Sequence, residues 1–178
     1  MEFIRVGDKL LSKEKLYRSI DRILSLRASG ASQQETADQV GVDRTFVSRL
    51  ETLAEVRKGG RLAVIGFPIS NKHELLQVCQ DFGVDYTFLM TDKERWDFVQ
   101  SVSGLALLNL VMEIIAKLRE YEVVVMIGSD MRIRLAEAVF GDAVIGVQIG
   151  TSPIKKDVYY APEQLVQLIS NIKGGTGQ

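Results

Sequence analysis

A chain of 178 residues with 46% apolar and 25% charged side chains has the balance of a folded domain, or of a small module joined to a mid-sized one. One cysteine excludes an internal disulfide framework and a multi-cysteine zinc site, and it suits a reducing cytoplasm. A net charge of −1 excludes a global basic field: residues 1–60 carry 11 Lys/Arg against 9 Asp/Glu, residues 61–178 carry 11 against 14, and any attraction to a polyanion must come from a local patch.

Phe3 to Val6 reads as a short extended piece. A helix is expected from Lys13 to Arg27, with Leu16, Ile20, Ile23 and Leu24 on one face, and Gly30 ends that region. Two short helices are expected over Gln33 to Val40 and Arg44 to about Val56, so residues 1–57 form an all-helical module. Lys58, Gly59 and Gly60 break the pattern and read as a linker.

From Arg61 onward, short apolar runs alternate with helical stretches. That alternation predicts a mostly parallel α/β domain, Rossmann-like and three-layered, over residues 61–178. Strands are expected from Arg61 to Phe67, Tyr86 to Met90, Glu122 to Ile127 and Val144 to Ile149, the third central, with Asp157 to Tyr160 at an edge. Helices are expected over Asn71 to Phe82, Thr91 to Gln100, Gly104 to Arg119, Asp130 to Phe140 and Pro162 to Ile172. Leu75, Leu76, Cys79 and Phe82 mark the inner face of the first of these, and the final GGTGQ reads as a frayed tail.

The helix from Gly104 is unusual: Leu105, Leu107, Leu108, Leu110, Val111, Met112, Ile114, Ile115 and Leu118 leave almost no polar face. Such a helix is expected to be buried all round, inside the domain or partly against a second copy. It is no membrane span, because Asn109 and Glu113 interrupt a run shorter than the roughly 20 residues that cross a bilayer. No secretory h-region is visible near Met1, and a cytoplasmic location is expected.

The segment from Ser32 to Glu51 meets several demands at once. Ser32 and Glu35 have capping-box spacing. Ala37 lets two helices approach closely, and Gly41 falls where a tight turn favours positive φ. Val40, Val42, Val47 and Leu50 can fill a small core, and Asp43 can cap the second helix. Arg44, Thr45, Ser48 and Arg49 then point outward, as a helix in a major groove requires for base edges and phosphates. Gln33 and Gln34 are placed for the sugar–phosphate backbone, Asp43 at the head of the second helix belongs to the same DNA-binding set, and Phe46 is expected to pack on the first long helix.

On Gln33, Ala37, Gly41, Val42, Val47, Ser48, Leu50 and Glu51, this segment resembles the Xre-like family, the helix-turn-helix of phage repressors and Cro. The DNA-binding helix of chromosome-partition proteins looks similar too. The resemblance implies a bacterial or phage DNA-binding regulator that works as a dimer on paired half-sites. The sequence departs from the pattern at Thr36, where an apolar residue is more common, and after Glu51, where the family's further short helices are missing.

In open α/β sheets, ligands bind at the carboxyl ends of the strands. The residues expected there are Gly66, Thr91, Gly128, Ser129, Asp130 and Thr151, which suit a small polar or anionic effector, with Arg132 and Lys155 adding charge. The same residues have an ordinary reading: Thr91 with Glu94, and Asn71 with Glu74, have capping-box spacing, and Ser129 is an N-cap candidate. No Gly-rich phosphate loop is present, so no nucleotide cofactor is expected. His73 reads as a solvent-exposed histidine, Cys79 as core, Trp96 and Phe98 as packing residues. Asp81 with Asp85, and Asp92 with Asp97, read as solvated surface charges. No catalytic or metal-ligating residue is expected.

These readings lead to a sequence-specific, double-stranded DNA-binding transcriptional regulator. It would act as a homodimer on a palindromic site, with the α/β half for oligomerisation and effector sensing. The alternatives are an enzyme of unknown chemistry in the α/β half, and a partition-type or architectural DNA-binding protein.

Overall fold

The computed structural model describes residues 2–55 and 60–174. The chain divides into two compact units, Met1–Glu55 and Val56–Gln178. Most of the expected linker (Lys58 and Gly59), Val56 at the end of an expected helix, and residues 175–178 of the tail lie outside the described residues.

The first unit is not all-helical. Strands β1 (Phe3–Val6) and β2 (Lys9–Ser12) pair antiparallel, with Phe3 opposite Ser12 and Val6 opposite Lys9. The two-residue loop between them needs positive φ, which Gly7 supplies at 57°. Ser12 then ends β2 and caps α1 (Lys13–Ala28), accepting from the Lys15 N–H. Helices α2 (Gln33–Val40) and α3 (Arg44–Ala54) follow. Ile23, Ala37 and Val47 form the core, with Val40, Val42 and Leu50 against it. Leu16 and Leu24, expected inward, are exposed. A helix of 16 residues is about 24 Å long, and two shorter helices cover only part of it.

The second unit is built on a parallel sheet in the order β4-β3-β5-β6. The strands are β3 (Leu62–Gly66), β4 (Tyr86–Leu89), β5 (Val123–Ser129) and β6 (Val144–Gly150). Both β3 and β5 are buried along their whole length, as central parallel strands must be. Side chains alternate between two cores. Leu62, Val64, Val123, Val125 and Ile127 meet α4 (Lys72–Asp81) and α8 (Pro162–Ile172) through Leu75, Cys79, Leu165 and Ile169. Ala63, Ile65, Val124 and Met126 face the other way, toward α6 (Gly104–Leu118) and α7 (Asp130–Phe140), through Leu118, Ile133 and Ala136. Helix α5 (Asp92–Gln100) is on this second side, where Phe98 meets Phe88 edge-on at 6.1 Å.

Expectations for this unit need correction at α6, at residues 157–160 and at Asn71. Helix α6 is not buried all round: Leu105, Leu108 and Met112 are 72%, 57% and 57% exposed, and within the helix only Leu118 is fully buried. One stripe faces the sheet, and no described element of this unit covers the stripe beside it. Asp157 to Tyr160 makes no strand, only a single bridge between Ile69 and Val158. Asn71 does not act through a capping box. Its buried side-chain amide donates to the Tyr160 carbonyl at 2.9 Å and to Glu74 at 3.0 Å, and accepts from the Tyr160 N–H.

Cys79 is buried on the sheet-facing side of α4, and burial pushes its thiol up to about 11. No helix among the described residues is long and apolar enough to cross a membrane.

Candidate functional site

The α2–α3 segment begins with a complete capping box. Ser32 Oγ accepts from the Glu35 N–H at 3.2 Å, and the Glu35 carboxylate accepts from the Ser32 N–H at 2.7 Å. The Ser32 N–H first, and the Ser32 side chain second, hold the Glu35 carboxyl below the usual carboxylate range. Gly41 ends α2 in the left-handed region (φ 76°), and the Gly41 and Val42 N–H groups both donate to the Ala37 carbonyl. Ala37 and Val47 are withdrawn from water where the two helices meet.

A polar clamp closes the other side. Arg27 and Gln33 both donate to Glu51, tying α1, α2 and α3 together, and Arg27 also donates to the Ala31 carbonyl. The Arg27 guanidinium and the Gln33 amide hold the Glu51 carboxyl low. Gln33, expected at the DNA backbone, thus has its amide engaged within the protein, while Gln34 donates to Asp38 at 2.9 Å on the surface.

On α3, Arg44, Thr45 and Arg49 are exposed and Ser48 is half-buried. Asp43 occupies the N-cap position but makes no side-chain cap bond, contrary to expectation. The Asp43 carbonyl accepts from the Phe46 N–H, and Asp43 is exposed. Phe46 is also exposed rather than packed, because Val47 and Leu50 define the inner stripe and Phe46 lies about 100° from Val47. Thr36 is fully buried, and its hydroxyl has no partner among the described residues.

The expected strand-end site is heavily committed to internal bonds. Gly66 is packed between side chains: a Cβ there would lie 3.0 Å from Leu89 and 3.1 Å from Ile127. Thr91 caps α5 with Glu94, whose carboxyl is held low chiefly by Lys72 and also by the Thr91 N–H. Asp130 accepts from the Ser152 N–H at 2.8 Å and from Arg134 at 2.9 Å; the Ser152 bond is the main reason its carboxyl is held low. Gly128 lies against Arg132, and Thr151 and Lys155 are exposed. Ser129 stands at the N-cap of α7 without a cap bond, its hydroxyl buried and unpartnered among the described residues.

Residues 151–161 pass over these ends as a strap. Ser152 is fastened to Asp130, Asp157 accepts from the Asp92 N–H, Val158 exchanges bonds with Pro68 and Ser70, and Tyr160 pairs with Asn71. Asp85 likewise accepts from the Leu62 N–H at 2.8 Å, and Asp92 pairs with Arg95, so neither is simply a solvated charge. His73 and Trp96 are exposed, the latter contrary to a packing role.

Open space lies elsewhere among the described residues of this unit. A cavity of about 450 Å³ lies beside the second sheet face, between α5, α6 and α7, with Arg95 and Arg132 among its lining residues. The sequence placed Arg132 near the strand ends but gave no sign of Arg95, because nothing in the spacing of α5 and α7 says that their first turns share a cavity. No family model, curated protein or solved structure matches this chain.

Proposed function

We propose that the protein is a sequence-specific, double-stranded DNA-binding transcriptional regulator acting in the cytoplasm. In this reading α2, the Gly41 turn and α3 form a helix-turn-helix, and α3 is the recognition helix. One observation carries it: Arg44, Thr45, Ser48 and Arg49 occupy one arc of α3, opposite the arc on which Val47 and Leu50 are packed. Among the described residues, no carboxylate pairs with Arg44 or Arg49, so both guanidiniums are available for guanine or phosphate. The Arg27–Gln33–Glu51 clamp would fix the angle at which α3 is presented.

The second unit, read as a Rossmann-like three-layer domain, would serve oligomerisation and effector binding. The exposed stripe Leu105, Leu108 and Met112 on α6 supports pairing with a second copy. A two-fold homodimer would set two recognition helices for a palindromic site.

The test is selection of genomic fragments by the full chain, followed by affinity measurement on the selected duplex. A few related palindromic sites are expected. Arg44→Ala and Arg49→Ala together should weaken specific binding at least about 30-fold, given roughly 1–3 kcal/mol for each good base contact. Unchanged affinity in the double variant would overturn the assignment of α3.

A further inference from the structure

The cavity beside the second sheet face has a chemical polarity. Leu107, Val111 and Ile114 of α6 form one wall, Leu135 and Val139 of α7 another, and Phe67 and Phe88 lie across from them. Nearly all of this lining is hydrocarbon, and at about 450 Å³ it falls within the roughly 300–1,000 Å³ of small-molecule sites.

The exceptions are the two arginines. They stand in the first turns of α5 and α7, at the carboxyl ends of β4 and β5, so both charges belong to one end of the cavity. Leu118 and Phe140, from the last turns of α6 and α7, belong to the other. Arg95 is paired with Asp92. Arg132 stacks over the Phe67 ring at 4.7 Å and donates to the Phe67 carbonyl at 3.4 Å, with no carboxylate in ion-pair range among the described residues. Burial, followed by the nearby Arg95 charge, disfavours the charged form of Arg132, and Asp92 only partly offsets this. Arg95 is matched by Asp92, while Arg132, at the end of an apolar space, has no carboxylate in ion-pair range among the described residues.

The occupant must satisfy both features. A sugar or nucleotide would press its polar groups against hydrocarbon without partners. A neutral hydrocarbon would fill the volume and leave Arg132 uncompensated. A carboxylate on an unbranched chain does both, since a guanidinium accommodates a carboxylate through paired N–H donors.

We propose that this cavity binds an amphipathic anion of the medium-chain carboxylate class, its chain lying between α6 and the sheet and its carboxylate on Arg132, with Arg95 alongside. All of its lining residues belong to the second unit.

Calorimetric titration of the full chain with decanoate, below its micellar concentration, and with 1-decanol tests it. Decanoate is expected to bind with one site per chain, at least tenfold tighter than 1-decanol. Arg132→Ala should bring decanoate down to the level of the alcohol. Val111→Trp, which fills the space, should abolish binding of both, with circular dichroism checking that each variant is folded. Absence of decanoate binding, equal binding of acid and alcohol, or an Arg132→Ala variant that binds decanoate normally would each overturn the proposal. If decanoate fails to bind and Val111→Trp dissociates a dimer in sedimentation, the cavity is an interface between copies, and the proposal is likewise overturned.

Discussion

In the first unit, three side chains withdrawn from water (Ile23, Ala37 and Val47) hold three helices together, and polar closures do much of the remaining work: the Ser32–Glu35 box, the Gly41 cap and the Arg27–Gln33–Glu51 clamp. In the second, a sheet buried on both faces joins two apolar cores, and the polar bonds lie at its rim. The contrast separates two uses of a fold. A small unit whose outer face is left free can present side chains to a large ligand. A larger unit has apolar mass enough to enclose a cavity beside its sheet.

The largest effects should come from the two cores. Ile23→Ala and Leu165→Ala each remove buried hydrocarbon at a cost of about 3 kcal/mol, but the consequences should differ. The chain has one tryptophan, Trp96, and it belongs to the second unit. Ile23→Ala should therefore lower the helical circular dichroism signal, and with it the proposed DNA binding, while leaving the Trp96 unfolding transition in place. Leu165→Ala should shift that transition to lower urea. Identical shifts in both variants would break the comparison.

Next in size is Gly41→Ala. A left-handed residue with a Cβ costs about 1–2 kcal/mol, and the loss should register in first-unit stability alone. Thr36→Val should act in the opposite direction. It replaces a buried, unpartnered hydroxyl by a methyl of similar shape and should raise first-unit stability by about 1 kcal/mol. A loss of stability in urea unfolding would mean that the hydroxyl has a partner after all.

The smallest expected effect is on acid sensitivity. Glu51 is held below its ordinary value of 4.5 by Arg27 first and Gln33 second. A carboxyl lowered in the folded state contributes stability above its unfolded value, and that contribution is lost as pH falls through the folded value. First-unit stability should therefore decline below about pH 4.5, and Arg27→Gln should flatten the decline. The second unit has its own lowered carboxyls at Glu94 and Asp130, and its acid response should be unaffected by Arg27→Gln.

Much of the fold could be read from residue periodicity, because a run such as Val123 to Ile127 can only be a strand covered on both sides. The failures have physical causes. Strand β2 is four residues long, its two leucines are adjacent rather than alternating, and its last residue also caps a helix, so no period could form. For α6, periodicity reports which residues are apolar but not which stripe has a neighbour; Leu105 and Leu107 look alike in the sequence and differ in their surroundings. Gln33 fits a phosphate contact by position, yet Glu51, eighteen residues away, takes its amide. The strap over the strand ends rests on Asn71, Asp92 and Asp130 reaching residues far along the chain, which local spacing does not encode.

The lone thiol has a practical corollary. Cys79 is 1% exposed, and with its pKa near 11 almost no thiolate forms at neutral pH. The native chain should resist maleimide and atmospheric oxidation while folded. A cysteine introduced at an exposed position such as Arg49 or Met112 would then be the sole reactive handle, and a spin label or fluorophore could be attached there without first removing a native residue. A pair of copies labelled at Met112 would report their own separation directly.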